Sequence, residues 1–261
     1  MDIVQLRNIK KQYGEKVIFQ GINLNIPAGF FTVLRGESGA GKSTLLNIIG
    51  GLEAPTSGEI IVDSKDVRQL SREERTNFYR HEIGIIFQGS YLQPQFTLLE
   101  NITLPGVFAG MPEAERKQRA EQLAEMLGIT ENLNFLPKEV SGGQAERACI
   151  ARALLLSPKI ILADEPTSNL DEANAKTVLE ILNYIRQQMG VTIIIASHSR
   201  DVVEFATQIV EVANGAIKVT TPQNQVAQSA MPMQNQIAQQ SVPAQNVAAS
   251  QGVVSDNQGN F

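Results

Sequence analysis

Short alternating runs open the chain. The stretches "DIVQLRNIK", "KVIFQGINLNI" and "FFTVLRG", separated by "YGE" and "PAG" turns, alternate apolar and polar positions and predict strands. "GKSTLLNIIGGL" then takes helical spacing, and "SGEIIVDSKDV" and "HEIGIIFQ" return to strands. From about residue 98 to 156 helical patterns take over. "MPEAERKQRAEQLAEMLG" carries Pro112 near its start, Leu123, Met126 and Leu127 on one face, and Gly128 at its end, as a helix in an insertion would. "PKIILADEP" and "VTIIIASH" are short continuous apolar runs, the pattern of strands buried on both faces of a parallel sheet. "IVEVANGAIKV" predicts a closing hairpin on an Asn-Gly turn. After about residue 220 the chain turns to Gln, Asn, Ala and Pro with one charged side chain, Asp256, and is expected to be a disordered tail over 221–261.

Composition narrows the function classes. The 261 residues are long enough for one large domain or a core with a subdomain, and 43% of them are apolar. A net charge of -5 at pH 7 supplies no basic footprint, so nucleic acid is not an expected partner. The single cysteine, Cys149, falls on the apolar face of the helix after Gln144, where core packing is expected, and it suits a reducing compartment. No leader-like run opens the sequence and no segment reaches about 20 apolar residues. A cytosolic protein is expected, with any membrane role requiring another subunit.

The candidate chemistry begins at "GESGAGKST", which matches G-x-x-x-x-G-K-[ST] from Gly36 to Ser43 between a strand pattern and a helix pattern. Glycines at 36, 39 and 41 let backbone N–H groups surround phosphate oxygens, Lys42 brings a point charge, and Ser43 is a Mg²⁺ ligand candidate. A helix dipole alone contributes at most about 2 kcal/mol, so lysine, metal and N–H array must act together on a polyphosphate. In "KIILADEPT" an apolar strand delivers two adjacent carboxylates, costly unless each has a partner. Asp164 suits a Mg²⁺ site and Glu165 the polarisation of an attacking water. "VSGGQAER" reads as a capping box, Ser141 with Gln144, yet a cap needs no glycine pair. Gly142 and Gly143 would also admit an anion to a helix N-terminus.

With these three motifs in this order, residues 1 to about 220 resemble the nucleotide-binding subunit of ABC transporters. The resemblance implies an α/β P-loop NTPase core with a mostly parallel sheet, an N-terminal antiparallel β subdomain and an inserted helical subdomain. It implies ATP bound by Gly36, Glu37, Ser38, Gly39, Ala40, Gly41, Lys42, Ser43 and Thr44, with Tyr13 resembling the aromatic residue that stacks on adenine. It further implies Mg²⁺ held by Ser43, Gln88 and Asp164, and catalysis by Glu165 with Gln88 and the switch-like His198. Ser141, Gly142, Gly143 and Gln144, with Ser168 and Asp171, resemble segments that complete the site of a second subunit in trans. Val140 stands where the family usually has leucine, and Ala145 and Glu146 replace glutamines common in relatives. His81, with no such context, is expected at the surface or in packing.

"GGLEAPTSGEI" and "RHEIGIIFQGSYLQPQFTLLENITLP" are similar to the branch serving lipoprotein release and macrolide export and to the related cell-division ATPase. That similarity implies a homodimeric ATPase on the cytoplasmic face of the inner membrane, held there by an integral-membrane permease that docks near residues 88–104. A mechanical or regulatory ATPase that transports nothing is the alternative. A DNA-repair or structural-maintenance ATPase is disfavoured by the acidic charge and the lack of a coiled-coil or zinc insertion. A translation-factor ATPase would carry two cassettes.

Overall fold

The computed structural model describes residues 1–222. The tail expected from residue 221 lies, beyond its first two residues, outside them. Strand β1 (Asp2–Tyr13) turns at Gly14 into β2 (Lys16–Pro27), and the two pair antiparallel from Tyr13 opposite Lys16 back to Asp2 opposite Pro27. β3 (Phe31–Arg35) leads into helix α1 (Lys42–Ile49). The chain then returns through β4 (Ser57–Val62), which pairs antiparallel with β1, and the short β5 (Lys65–Asp66). The resulting sheet has the order β2-β1-β4-β5.

Helix α2 (Arg72–Glu82) precedes β6 (Ile83–Ile86), so His81 and Glu82 close a helix rather than open the strand that the pattern "HEIGIIFQ" predicts. α3 (Leu98–Phe108), α4 (Glu113–Met126) and α5 (Gly142–Leu154) follow, then β7 (Ile160–Asp164), α6 (Glu172–Met189), β8 (Thr192–Ala196), β9 (Gln208–Ala213) and β10 (Ala216–Thr220). The second sheet runs β10-β9-β3-β8-β7-β6, with every neighbouring pair parallel except the β9–β10 hairpin. Asn214 and Gly215, at φ 50° and 74°, make that hairpin turn, as the Asn-Gly pattern predicts. The molecule is thus an α/β fold with a mostly parallel sheet and an N-terminal antiparallel sheet.

Two helices go beyond the sequence reading. α2 buries only Phe78 and shows no apolar stripe; its one local signal is the capping box of Ser71 and Glu74. α6 buries Val178, Leu179, Ile181, Leu182 and Ile185, capped by Asp171 before it and Gly190 after it. The core runs through both sheets. Leu34, Leu162, Ile194 and Val210 of the parallel sheet share one buried cluster with Leu45, Ile48 and Ile49 of α1 and with Leu6, Phe19, Leu24 and Val62 of the antiparallel sheet. Each such side chain contributes about 1.5–3 kcal/mol. The continuous cluster fixes the antiparallel sheet against the helix that leaves the glycine-rich loop.

α5 packs against α3 and α4 and buries Ala148, Cys149, Ile150, Ala151 and Leu154. Burial pushes the Cys149 thiol up to about 12, and it donates to the Ser90 carbonyl at 2.7 Å, so this cysteine packs as expected. The same helix buries Glu146, only 4% exposed, with Oε1 lacking a hydrogen-bond partner. Desolvation raises its carboxyl to about 7, against the opposing charge of Arg152. A carboxyl raised on folding contributes stability below its unfolded value and loses it as pH rises toward the folded value. We therefore predict that the parent loses about 2–3 kcal/mol relative to Glu146→Gln between about pH 5 and about pH 8. Urea melts of both proteins at the two pH values measure this; parallel pH profiles would show a solvated, charged Glu146.

Candidate functional site

The loop between β3 and α1 is shaped by two close approaches. A Cβ on Gly36 would lie 2.3 Å from the Val212 carbonyl of β9, and one on Gly41 would lie 2.9 Å from Ile18 and 3.0 Å from the Phe19 ring of β2. Gly41, at φ 106°, is the N-cap of α1 and makes no side-chain cap, so the first N–H groups of the helix face the loop. Lys42 is buried, its Nζ donating to the carbonyls of Gly36 at 2.8 Å and Glu37 at 3.0 Å. Its ammonium is thus held on the loop's own carbonyls, close to the N-terminus of α1 where an anion is favoured.

β7 brings Asp164 beside this loop. The carboxyl is partly buried and its pKa is raised, first by desolvation and then by the neighbouring Glu165 charge, while a hydrogen bond with Ser43 and the charge of Lys42 oppose the rise. Glu165 follows at φ 47°, a left-handed conformation that costs of order 1–3 kcal/mol in a residue with a side chain. Its N–H is anchored on the Ala196 carbonyl at 2.9 Å, and its own carbonyl accepts from the Ser168 hydroxyl at 3.0 Å. This turn aims the Glu165 carboxylate at the loop rather than along the strand. Nδ1 of His198, two residues past β8, lies 2.9 Å from Glu165 Oε1, a bond that requires the Nδ1–H tautomer or the imidazolium.

One cleft of about 680 Å³ is lined by Tyr13, Ser38, Gly39, Gly41, Lys42, Ser43, Thr44, Gln88, Glu165 and His198, together with Lys16 and Ile18. A neighbouring depression of about 800 Å³ takes Gly36, Glu37 and Ala40 and shares Lys16, Ile18, Ser38, Gly39 and His198 with it. Residues from five separate segments thus converge on one volume. Ser43, Asp164 and the Gln88 amide are oxygen donors suited to a hard cation. Among the described residues no three His, Cys, Asp or Glu side chains gather into a metal cluster. The desolvated Asp164 beside a serine hydroxyl fits a Mg²⁺ ion that completes its shell with ligand oxygens.

The "SGGQ" segment does not line the cleft. Ser141 caps α5, its Oγ accepting from Gln144 N–H at 3.3 Å while Gln144 Oε1 accepts from Ser141 N–H at 2.8 Å. The capping box is therefore real, and Gly143 has a reason inside the chain: a Cβ there would lie 2.5 Å from Asn174 Oδ1 of α6. Ser141 and Gly142 remain exposed, Gly142 beside Leu170. Asp171 caps α6, accepting from Asn174 N–H at 2.9 Å and from its side-chain amide at 2.6 Å. Ser141–Gln144 and Asp171 thus share a surface apart from the cleft. His81 is exposed, its Nδ1 3.0 Å from the Asn77 carbonyl. Sequence reasoning missed Lys16 and Ile18, which belong to no motif, and Glu53, whose carboxylate accepts from the Tyr13 hydroxyl.

Comparison with known proteins points to one family and one fold. A family model described as ABC transporter matches residues 19–168. The lipoprotein-releasing system ATP-binding protein LolD 1 of Rhodopseudomonas palustris is 40% identical over 222 residues, covering 83% of this chain and 98% of the relative. The macrolide export ATP-binding/permease protein MacB of Brucella melitensis is 41% identical over 209 residues, 80% of this chain. The chain spans only 32% of that relative's length. Among solved structures, the ATP-binding cassette MJ0796, a dimer in a post-hydrolysis state bound to ADP and Pi, superposes with a TM-score of 0.76. It is 36% identical, with 84% of this chain and 98% of that one covered.

The loop geometry grades its glycines. Gly39 is at φ 79° with open space where a Cβ would be, whereas Gly41 combines positive φ with the contacts to Ile18 and Phe19. Gly39→Ala should cost about 1–2 kcal/mol from backbone handedness alone. Gly41→Ala should cost about 3 kcal/mol or more. Denaturant melts test the order, and equal losses would mean that β2 gives way at no cost.

Proposed function

We propose, for a chain that belongs to the ABC transporter family, that it binds and hydrolyses Mg-ATP as one of two identical nucleotide-binding subunits and drives a separate membrane permease. The observation that carries this reading is the cleft that joins Tyr13, Ser38, Gly39 and Gly41–Thr44 of the loop, Gln88, Glu165 and His198. Tyr13 offers an aromatic face to the base at one end. Lys42 and the α1 N-terminus would hold the phosphates, and Asp164, Ser43 and Gln88 would supply oxygens to a Mg²⁺ ion that would neutralise phosphate charge. At the other end Glu165 polarises the attacking water, a role worth about 10²–10⁴ in rate. His198 holds that carboxylate in line.

In a single chain Ser141–Gln144 and Asp171 do not line this cleft. A second copy turned face to face would supply them, and the dimeric state of the related cassette favours that arrangement. Exporter names among the relatives favour transport over a purely mechanical ATPase, with lipoprotein or macrolide-type extrusion as the substrate class. Among the described residues no helix is long and apolar enough to cross a membrane. The membrane-spanning work is assigned to the permease, which would hold this subunit at the cytoplasmic face of the inner membrane. Phe87 and Tyr91 flank Gln88 and stack edge to face at 6.0 Å, and with Phe108 of α3 they are exposed apolar side chains suited to that docking.

Glu165→Gln with Mg-ATP should shift from monomer to dimer in light scattering, and Ser141→Arg in the same background should abolish the shift. A monomer that nevertheless holds ATP would sink the two-copy reading. Tyr91→Asp with Phe108→Asp should leave basal ATPase within about twofold of the parent and remove stimulation by the permease, on the scale of lost interface anchors. Retained stimulation would move the docking surface elsewhere.

A further inference from the structure

Tyr13 ends β1, half exposed at 47%, and its ring is not free to swing. Lys11 projects from the same face of the strand, two residues earlier, and its ammonium lies 4.6 Å from the ring centroid. That ammonium is itself fixed, 2.7 Å from Glu53 Oε1 and 2.8 Å from the Ala54 carbonyl, in a side chain that is 10% exposed. The Tyr13 hydroxyl donates to the same Glu53 oxygen. One carboxylate therefore receives two donors from one strand. Burial opposes the charge on Glu53, but the bonds from Lys11 and Tyr13 and the Lys11 charge outweigh it and hold the carboxyl below its usual value. The bond to Glu53, then burial, raises the Tyr13 phenol, which stays a neutral donor.

Glu53 is tied in turn to the phosphate loop. It lies just beyond α1, with the N–H groups of Leu52 and Glu53 both bonded to the Asn47 carbonyl at 2.9 and 3.1 Å. Thr56 N–H bonds to the Lys10 carbonyl at 2.8 Å and Gln12 N–H to the Thr56 hydroxyl at 3.1 Å, sewing this loop to the end of β1. α1 thus presents Lys42 and Ser43 at its first turn and, past its last turn, delivers the carboxylate that fixes the Tyr13 ring.

We infer that Glu53, backed by Lys11, is a positioning residue for a purine nucleotide: it sets the Tyr13 platform at a fixed distance from the phosphate loop, with the cation against one ring face and the other left for the base. The inference rests on the reading of the cleft as an ATP site. A ring held before binding spares the ligand the cost of ordering it, and losing that hold should weaken ATP about three- to tenfold, the scale of one hydrogen bond or one immobilised side chain. The phosphates, held by Lys42 and the loop, should not sense the change.

Titration calorimetry of the full chain with Mg-ATP and, separately, with Mg-tripolyphosphate tests this. Glu53→Gln and Tyr13→Phe should each weaken ATP about three- to tenfold and leave tripolyphosphate within twofold, and the double variant should be no weaker than either single one. Tyr13→Phe probes the same bond from the other side should Glu53→Gln fold poorly. Equal weakening of both ligands would make Glu53 a general support of α1 and overturn the inference, as would additive losses in the double variant. Tyr13→Ala weakening ATP while Glu53→Gln does not would overturn the inference and leave the cleft reading standing. ATP binding that survives Lys42→Ala would overturn both.

Discussion

In a parallel sheet every strand leaves the same edge, and the hydrogen-bond register decides which residues arrive there together. Ala196 of β8 is paired with Leu34 of β3 on one side and Asp164 of β7 on the other, and Ala163 of β7 is paired with Ile86 of β6. The residues that follow these pairs are the glycine-rich loop, Ser197 and His198, Glu165, and Phe87 and Gln88. Segments far apart in the chain are thereby delivered to one line without any contact between their side chains having to specify it. A slip of one residue in β7 would turn Asp164 to the other face of the sheet, away from Ser43 and Lys42. The hydrocarbon that locks the register, Ile160–Ala163 and Ile193–Ala196, is almost wholly buried and contributes nothing to the chemistry except this alignment.

The cost of the arrangement is concentrated where the strands end. Asp164 is partly desolvated, Glu165 is bent into a left-handed turn, and Lys42 is buried against carbonyl groups. Each is unfavourable taken alone, and each is offset by a neighbour: Ser43 for Asp164, the Ala196 carbonyl for the Glu165 N–H, the loop carbonyls for Lys42. A divalent cation beside Asp164 would reverse the electrostatic sign there, since it favours the ionised carboxylate that burial disfavours. Folding and ligand binding therefore share these groups. Glu146 shows the contrast: its Oε1 has no hydrogen-bond partner, and desolvation outweighs the opposing charge of Arg152.

What the sequence made legible follows the range of the interactions. The phosphate loop was readable because its requirements are local: glycine where backbone must approach backbone, lysine and serine at the first turn of a helix. The Asn214–Gly215 hairpin was readable for the same reason. α2 was not, because only the adjacent Phe78 and Tyr79 pack against the core and leave no periodicity to detect, so the pattern of β6 extends into the end of that helix. α6 carries a readable apolar stripe, with Val178, Leu182 and Ile185 at helical spacing between the Asp171 cap and Gly190. The Tyr13–Glu53 bond had no local trace at all, since the two residues meet only once β1 has packed beside the loop that follows α1.

The glycine pair in "SGGQ" shows why a motif carries more than one constraint. Ser141 and Gln144 are engaged in each other's caps, and Gly143 is needed so that Asn174 of α6 can approach α5. Those demands are met within the chain, and a ligand would be a further demand on the same atoms. Gly142 is different. It is exposed, a Cβ there would meet only Leu170 at 3.4 Å, and folding gives little reason to exclude a side chain. On the two-copy reading this is the position where the phosphate of the opposite subunit approaches the backbone. Intramolecular packing thus accounts for Gly143 and gives no comparable reason for Gly142.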